Sequence, residues 1–350
     1  MESTTRPDPV SGIPTYFERP AIGSVFEIAG RFIFFESNGA DVPGLAEFLD
    51  AHYYTAVHPS ACPAPDATIS WKFQDQPRQL DGAFQQFEIS GGGLGSTDGR
   101  TCMFDFKNAC VVAHGDQPRR IEVLMRRVLD LRALDDLLIV NYAISTALRR
   151  CGLFELHSGA VVNPQNQRGV LIAGPSGSGK STLTLQLVAN GWQYLTDDVL
   201  FLKPHDNLLK AYPVRRTFAV TQSTVEASGN RVRDLFADNE WFDGAKKSFI
   251  PHEVFPGTFL PECEPRAIFF TKITGAEESV VRPLTRSETM AQLIKMCPWS
   301  CYDPVTSAGH LQALSALARQ CDGFIVLAGK ELLHDSTRAS ELMLEHTGSA

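Results

Sequence analysis

Gly174-Pro-Ser-Gly-Ser-Gly-Lys-Ser181 fits G-x-x-x-x-G-K-[ST] at every fixed position. Chance would place such a match in roughly one chain of this length in a hundred. The chemistry it serves is the holding of a nucleoside triphosphate. Glycines 174, 177 and 179 let the backbone wrap closely and aim N–H groups at phosphate oxygens. Pro175, Ser176 and Ser178 fill the variable positions of the cradle. Lys180 supplies a point charge for the β- and γ-phosphates, and the Ser181 hydroxyl is a candidate Mg2+ ligand. From Thr182 a helix adds its positive N-terminal end. Downstream stands a pair of carboxylates, Asp197-Asp198. One of two such groups can hold a metal while its neighbour takes a proton from an attacking hydroxyl. An ordinary acidic turn between two strands is the bland alternative.

Elements that could position these groups surround them. Val170–Ala173 reads as a buried strand entering the loop, and Thr182–Asn190 as a helix leaving it, closed by Gly191. Gln193–Thr196 is a short strand that delivers the aspartates, and Val199–Leu202 continues apolar. A carboxylate at a strand end beside such a loop is where a Mg2+ ligand belongs. Upstream, Phe154–Val162 is another strand-like run, carrying His157. By itself His157 reads as a core histidine. Arg215, Arg216, Lys246 and Lys247 are candidate cations for charge developing on a γ-phosphate, though each pair fits solvated surface better.

Residues 1–20 are Pro- and Ser-rich and read as a loose arm, and residues 21–114 as a β-rich module. Its strands are expected at Arg31–Glu36, Thr68–Phe73, Phe84–Ile89 and Thr101–Phe106, with a hairpin turn at Thr97-Asp98-Gly99. Gly91–Gly93 with Gly95 reads as a turn or connector. Residues 115–150 are expected to be a helical junction. Asp116 and Pro118 suit a helix start, Ile121, Leu124, Met125 and Val128 recur at helical spacing, and a second helix spans Asp135–Arg150. Strand and helix then alternate across 151–350, the mark of an α/β unit. Its tail is expected to hold a helix at Ala308–Gln320 and a strand at Phe324–Ala328. Cys297 and Cys301 have no second pair nearby and read as core, not as a zinc site.

The chain has 350 residues, 43% hydrophobic and 21% charged, which argues for globular structure. Lys+Arg 32 against Asp+Glu 40 gives a net charge of -8, so nucleic acid is excluded as the main partner. No apolar run is long enough for a membrane span, and the eight scattered cysteines suit a reducing compartment, so a cytoplasmic protein is expected.

The order LHSGAVV…GVLIAGPSGSGKSTLTLQLVANGWQYLTDDVLFL resembles the catalytic domain of HPr kinase/phosphorylase, and still more that family's divergent relatives in bacterial gene clusters. The resemblance covers about residues 150–330 and is dense between Leu156 and Leu202. It implies an α/β fold: a P-loop kinase domain akin to phosphoenolpyruvate carboxykinase, here preceded by the β-rich module. It implies ATP and Mg2+ as cofactors, a hydroxyl acceptor, and a homo-oligomer. Carried over, Lys180 and Ser181 hold phosphate and metal, Asp197 is the general base with His157 tuning it, and Asp198 is a metal ligand. Beyond the Asp pair the family carries Glu-x-Arg-Gly-x-Gly. Here Tyr212–Ser223 has arginines but neither the glutamate nor the glycines, so neither phosphorylase activity nor HPr as substrate is expected. The expectation is a kinase acting on a serine of a protein or peptide. A small-molecule kinase on the same fold and a nucleotide-binding regulator with little turnover are its alternatives.

Overall fold

The computed structural model describes residues 24–37, 42–58, 64–74, 84–89, 93–238, 240–241, 246–297 and 302–347. The expected arm over residues 1–20, Gly91, Gly92, Cys301 and residues 242–245 before Lys246 lie outside them. Two large sheets organise the rest.

The first sheet draws its strands from the N-terminal part of the chain. They are β1 (Ser24–Ile28), β2 (Arg31–Ser37), β3 (Thr55–His58), β4 (Ala67–Phe73), β5 (Gln85–Glu88), β6 (Leu94–Thr97), β7 (Thr101–Asp105), β8 (Ala109–His114) and β9 (Arg120–Met125). Their spatial order is β3-β1-β2-β4-β9-β8-β7-β6-β5, parallel at β2-β4-β9 and antiparallel elsewhere. The expected Thr97–Gly99 hairpin joins β6 to β7, with the Asp98 carboxylate accepting from the backbone of Arg100 at 2.8 Å and Thr101 at 2.6 Å. Helix α1 (Leu45–His52) precedes β3, and α2 (Leu134–Arg150) follows β9. α2 buries Ile139, Val140, Ala143 and Ala147 in one core with Ile69, Val111 and Val123 of the sheet.

Two expectations fail here. Ile121, Leu124 and Met125 belong to a strand, β9, and not to a helix. Their spacing suits either period, but β9 sits inside the sheet: Ile121, Val123 and Met125 face the α2 core, whereas Leu124 packs on the other face with Met103, Cys110 and Val112. Val128 follows in a half-open loop and is exposed. Gly95 is likewise no connector but a β6 residue, because the Phe87 ring of β5 occupies the space a Cβ would need.

The second sheet carries β10 (Phe154–Val162), β11 (Gly169–Ala173), β12 (Gln193–Thr196), β13 (Val199–His205) and β14 (Leu208–Pro213). β15 (Phe218–Val220) and β16 (Lys247–Phe249) form a separate ribbon, and β17 (Pro265–Ile273), β18 (Val280–Leu284) and β19 (Asp322–Ala328) complete the main sheet. Its order is β14-β13-β10-β11-β17-β19-β18, with β12 also on β10. β11, β17 and β19 run parallel, as helix-bearing crossovers require. The helices are α3 (Lys180–Ala189), α4 (Gln222–Ala227), α5 (Asn230–Leu235), α6 (Pro251–Val254), α7 (Arg286–Met296), α8 (Ser307–Gln320), α9 (Glu331–His334) and α10 (Ser336–Thr347). They cover both faces: Leu183 and Leu187 of α3 with Leu342 of α10 close one core, and Leu293 of α7 with Leu314 of α8 the other. Among the described residues no helix is long and apolar enough to cross a membrane.

Candidate active site

The run from β11 through α3 builds the loop end of the site. β11 is wholly buried and pairs with β10 on one side and β17 on the other, which pins the point where the loop starts. Gly174 and Gly177 have φ of 155° and 77°, conformations that side chains resist. A Cβ on Gly174 would also stand 2.8 Å from the Thr271 carbonyl, so the turn closes only with glycine. Pro175, Ser176 and Gly177 form the exposed crest, and Ser178 turns inward to share a hydrogen bond with Thr271 at 3.0 Å. Gly179 caps α3, and Lys180 and Ser181 stand in its first turn. Thr182 faces away, its hydroxyl 2.8 Å from that of Thr224 on α4.

Lys180 is buried and folded back on its own loop. Its ammonium donates to the carbonyls of Gly174 at 2.9 Å and Pro175 at 3.1 Å. Burial draws its pKa below the ordinary value, and the charge of Lys246 adds to this against the pull of the aspartates.

β12 ends at Thr196 and hands on Asp197 and Asp198, whose environments differ sharply. Asp197 is 1% exposed, hydrogen-bonded by the Ser181 hydroxyl and, at 3.3 Å, by the backbone N–H of Ala219. Burial, and then the charge of Asp198, raises its pKa to about 7. The Asp198 side chain is 34% exposed and stands 3.4 Å from His157 Nε2 and 3.3 Å from an Arg215 nitrogen. Burial alone would raise its pKa, but Arg215, His157, Lys180 and Lys246 outweigh that and hold it below the usual range.

His157 comes from β10, directly across from Val199. Burial keeps its pKa below the ordinary value despite Asp198, so the imidazole is neutral at pH 7. Two residues on, Gly159 lets α3 approach β10, since a Cβ there would lie 2.5 Å from the Thr184 hydroxyl.

Lys180, Ser181, His157, Asp197 and Asp198 thus converge, and the order of pairing is specific: Ser181 with Asp197, His157 with Asp198. Of the four candidate cations, Arg215 touches Asp198 and Lys246 reaches the group by charge. Arg216 instead donates to the Asp50 carbonyl at 2.7 Å, and Lys247 lies 4.9 Å over the Trp241 ring. Cys297 is buried, its thiol 3.3 Å from the Glu155 carbonyl, as a core residue. The residues that sequence reasoning missed are Thr271, which braces the loop, and Tyr53 and Asn141 behind Arg215. None lies in a motif.

A Mg2+ ion prefers oxygen ligands and needs only one or two from the protein. The paired Ser181 hydroxyl and Asp197 carboxylate fit it, and among the described residues no cluster of three or more His, Cys, Asp or Glu offers another metal site.

No family model and no curated protein matches the chain. Among solved structures it is similar to the HPr(Ser) kinase/phosphatase of Coxiella burnetii, at 15% identity over 55% of this chain and 93% of that one, with a TM-score of 0.32. This is a weak likeness of fold, and the chemistry rests on the side chains described above.

Proposed function

We propose that the chain is an ATP- and Mg2+-dependent phosphotransferase whose acceptor is a hydroxyl, foremost a serine of a protein or peptide. The observation that carries the reading is the division of labour within Asp197-Asp198. A general base must be reachable by the incoming hydroxyl before its pKa matters. Asp198 is open on one side, whereas Asp197 is closed in against Ser181. Asp198 therefore accepts the proton, oriented by His157 and Arg215, while Ser181 and Asp197 would hold a Mg2+ ion. These roles exchange those expected for the two aspartates, because His157 faces Asp198.

The loop N–H groups and Lys180 hold the triphosphate, and Lys180 leaves its loop carbonyls to do so. A Mg2+ ion held there would supply positive charge to offset that of the transferring phosphoryl group. Arg215 and Lys246 add positive charge on the acceptor side. The γ-phosphoryl group passes to the hydroxyl oxygen, its bond to the bridging oxygen breaks, and the hydroxyl proton goes to Asp198.

The test follows γ-phosphate-labelled ATP in a lysate of the organism that makes the protein, with wild type or Asp198→Asn added. Label should enter one macromolecular or small-molecule species with wild type, and about 100-fold more slowly with Asp198→Asn at unchanged ATP affinity. Equal labelling by both would remove Asp198 as base. No labelling despite ATP binding would turn the reading to a nucleotide-binding regulator.

A further inference from the structure

Arg215 reaches Asp198 from a segment that the N-terminal module holds. Leaving α1, the chain runs His52-Tyr53-Tyr54 against Val214-Arg215-Arg216, antiparallel. Tyr54 N–H donates to the Val214 carbonyl at 2.8 Å, and Arg216 N–H donates to the His52 carbonyl at 2.9 Å. Between these two bonds Tyr53 stands opposite Arg215. The Tyr53 side chain is buried, feels the charge of the Arg215 guanidinium, and donates its hydroxyl proton to Asn141 Oδ1 on α2. A line of neighbours therefore leads from α2 through Tyr53 and Arg215 to Asp198.

We propose that the N-terminal module supplies a positioning residue, Tyr53, which holds the Arg215 guanidinium against Asp198 and so completes the phosphoryl-transfer site. The proposal rests on the phosphotransferase reading above. A long arginine side chain that is one-third exposed loses much rotamer freedom when fixed. A buried phenol anchored on Asn141 beside it holds it beforehand, so the guanidinium is in place when charge develops. Acting through Arg215, Tyr53 affects the transfer step and leaves nucleotide binding alone.

The experiment uses the full chain and MgATP, with water as the acceptor and phosphate release as the signal. Tyr53→Phe keeps the ring against Phe48, whose centroid lies 5.9 Å away, and removes only the hydroxyl. It should lower kcat roughly tenfold, the size of a lost polar interaction with a charged group, and leave KM for ATP in place. In an Arg215→Ala background the same change should cost nothing. Equal loss in both backgrounds would overturn the proposal, since a merely structural role predicts it. Asn141→Ala, which leaves Tyr53 intact, should act in the same direction and carries the same cycle if Tyr53→Phe does not fold. A second signal is independent of turnover: in protein with 15N-labelled arginine, the Arg215 guanidinium should rotate slowly in wild type and quickly in Tyr53→Phe. Unchanged rotation would also overturn the proposal. Absence of phosphate release by wild type would instead count against the phosphotransferase reading alone.

Discussion

Two adjacent arginines, Arg215 and Arg216, show how position decides chemistry. Successive residues of an extended segment point to opposite sides, so one guanidinium meets Asp198 and the other Asp50. Arg215→Lys should therefore lower phosphate transfer by about tenfold or more, because an ammonium cannot serve Tyr53 and Asp198 in one plane. Arg216→Lys should leave the rate within about twofold, as surface substitutions away from special features do. Steady-state rates of the two variants side by side decide it. The sequence marks out the glycine-rich loop, His157 and the aspartates as one group because their order along β10, β11, α3 and β12 is local. It does not separate Arg215 from Arg216, since their register is set by Tyr53, far away in the chain. Nor does it divide the roles of Asp197 and Asp198, which differ in exposure and in partner but not in type.

At the scale of elements, β10 carries His157 and depends on what braces it. His310 of α8 is fully buried and its Nε2 donates to the Glu155 carbonyl of β10 at 2.8 Å, while among the described residues its other ring nitrogen has no partner. Burial, aided by the charge of Arg149, pushes its pKa down to about 4 from 6.5. The unfolded chain therefore binds a proton in that window which the folded chain refuses, and stability falls as pH drops from 6.5 to 4. The full loss is about 3 kcal/mol. Urea midpoints at pH 7 and 4.5 should differ strongly in wild type and much less in His310→Gln. Gly159→Ala should destabilise by about 1–3 kcal/mol by forcing β10 and α3 apart, read from the same midpoints. Helices α2 and α8 are legible from their helical spacing, and β11 and β19 as short apolar runs between glycines, whereas β17 between them is not. Nor is β9, because its alternation over Arg120–Val123 breaks at the buried Leu124 and Ile121, Leu124 and Met125 then satisfy a helix as well.

Across the whole molecule, the two sheets are tied by buried charge as well as by backbone. Arg150, at the end of α2, makes two bonds to the Asp303 carboxylate at 2.9 and 2.8 Å and a third to the His114 carbonyl of β8 at 2.8 Å. Both partners are almost fully buried. Asp303→Ala leaves the guanidinium charged without its counter-ion and should cost about 3–5 kcal/mol. Arg150→Met with Asp303→Leu should recover much of that loss, and urea unfolding of the single and double variants measures both.

All the described strands of the first sheet end by Met125, before the phosphate loop begins, and the second sheet borrows none of them. The ribosome delivers a chain from its N-terminus, and units fold in that order. The strands of the first sheet are thus made while Arg215 is still unmade, and their core is filled only later by Phe201 and Val214, the residue beside Arg215. The Tyr53–Arg215 contact thereby joins a segment made early to one made later, and on the ribosome it closes only when both exist.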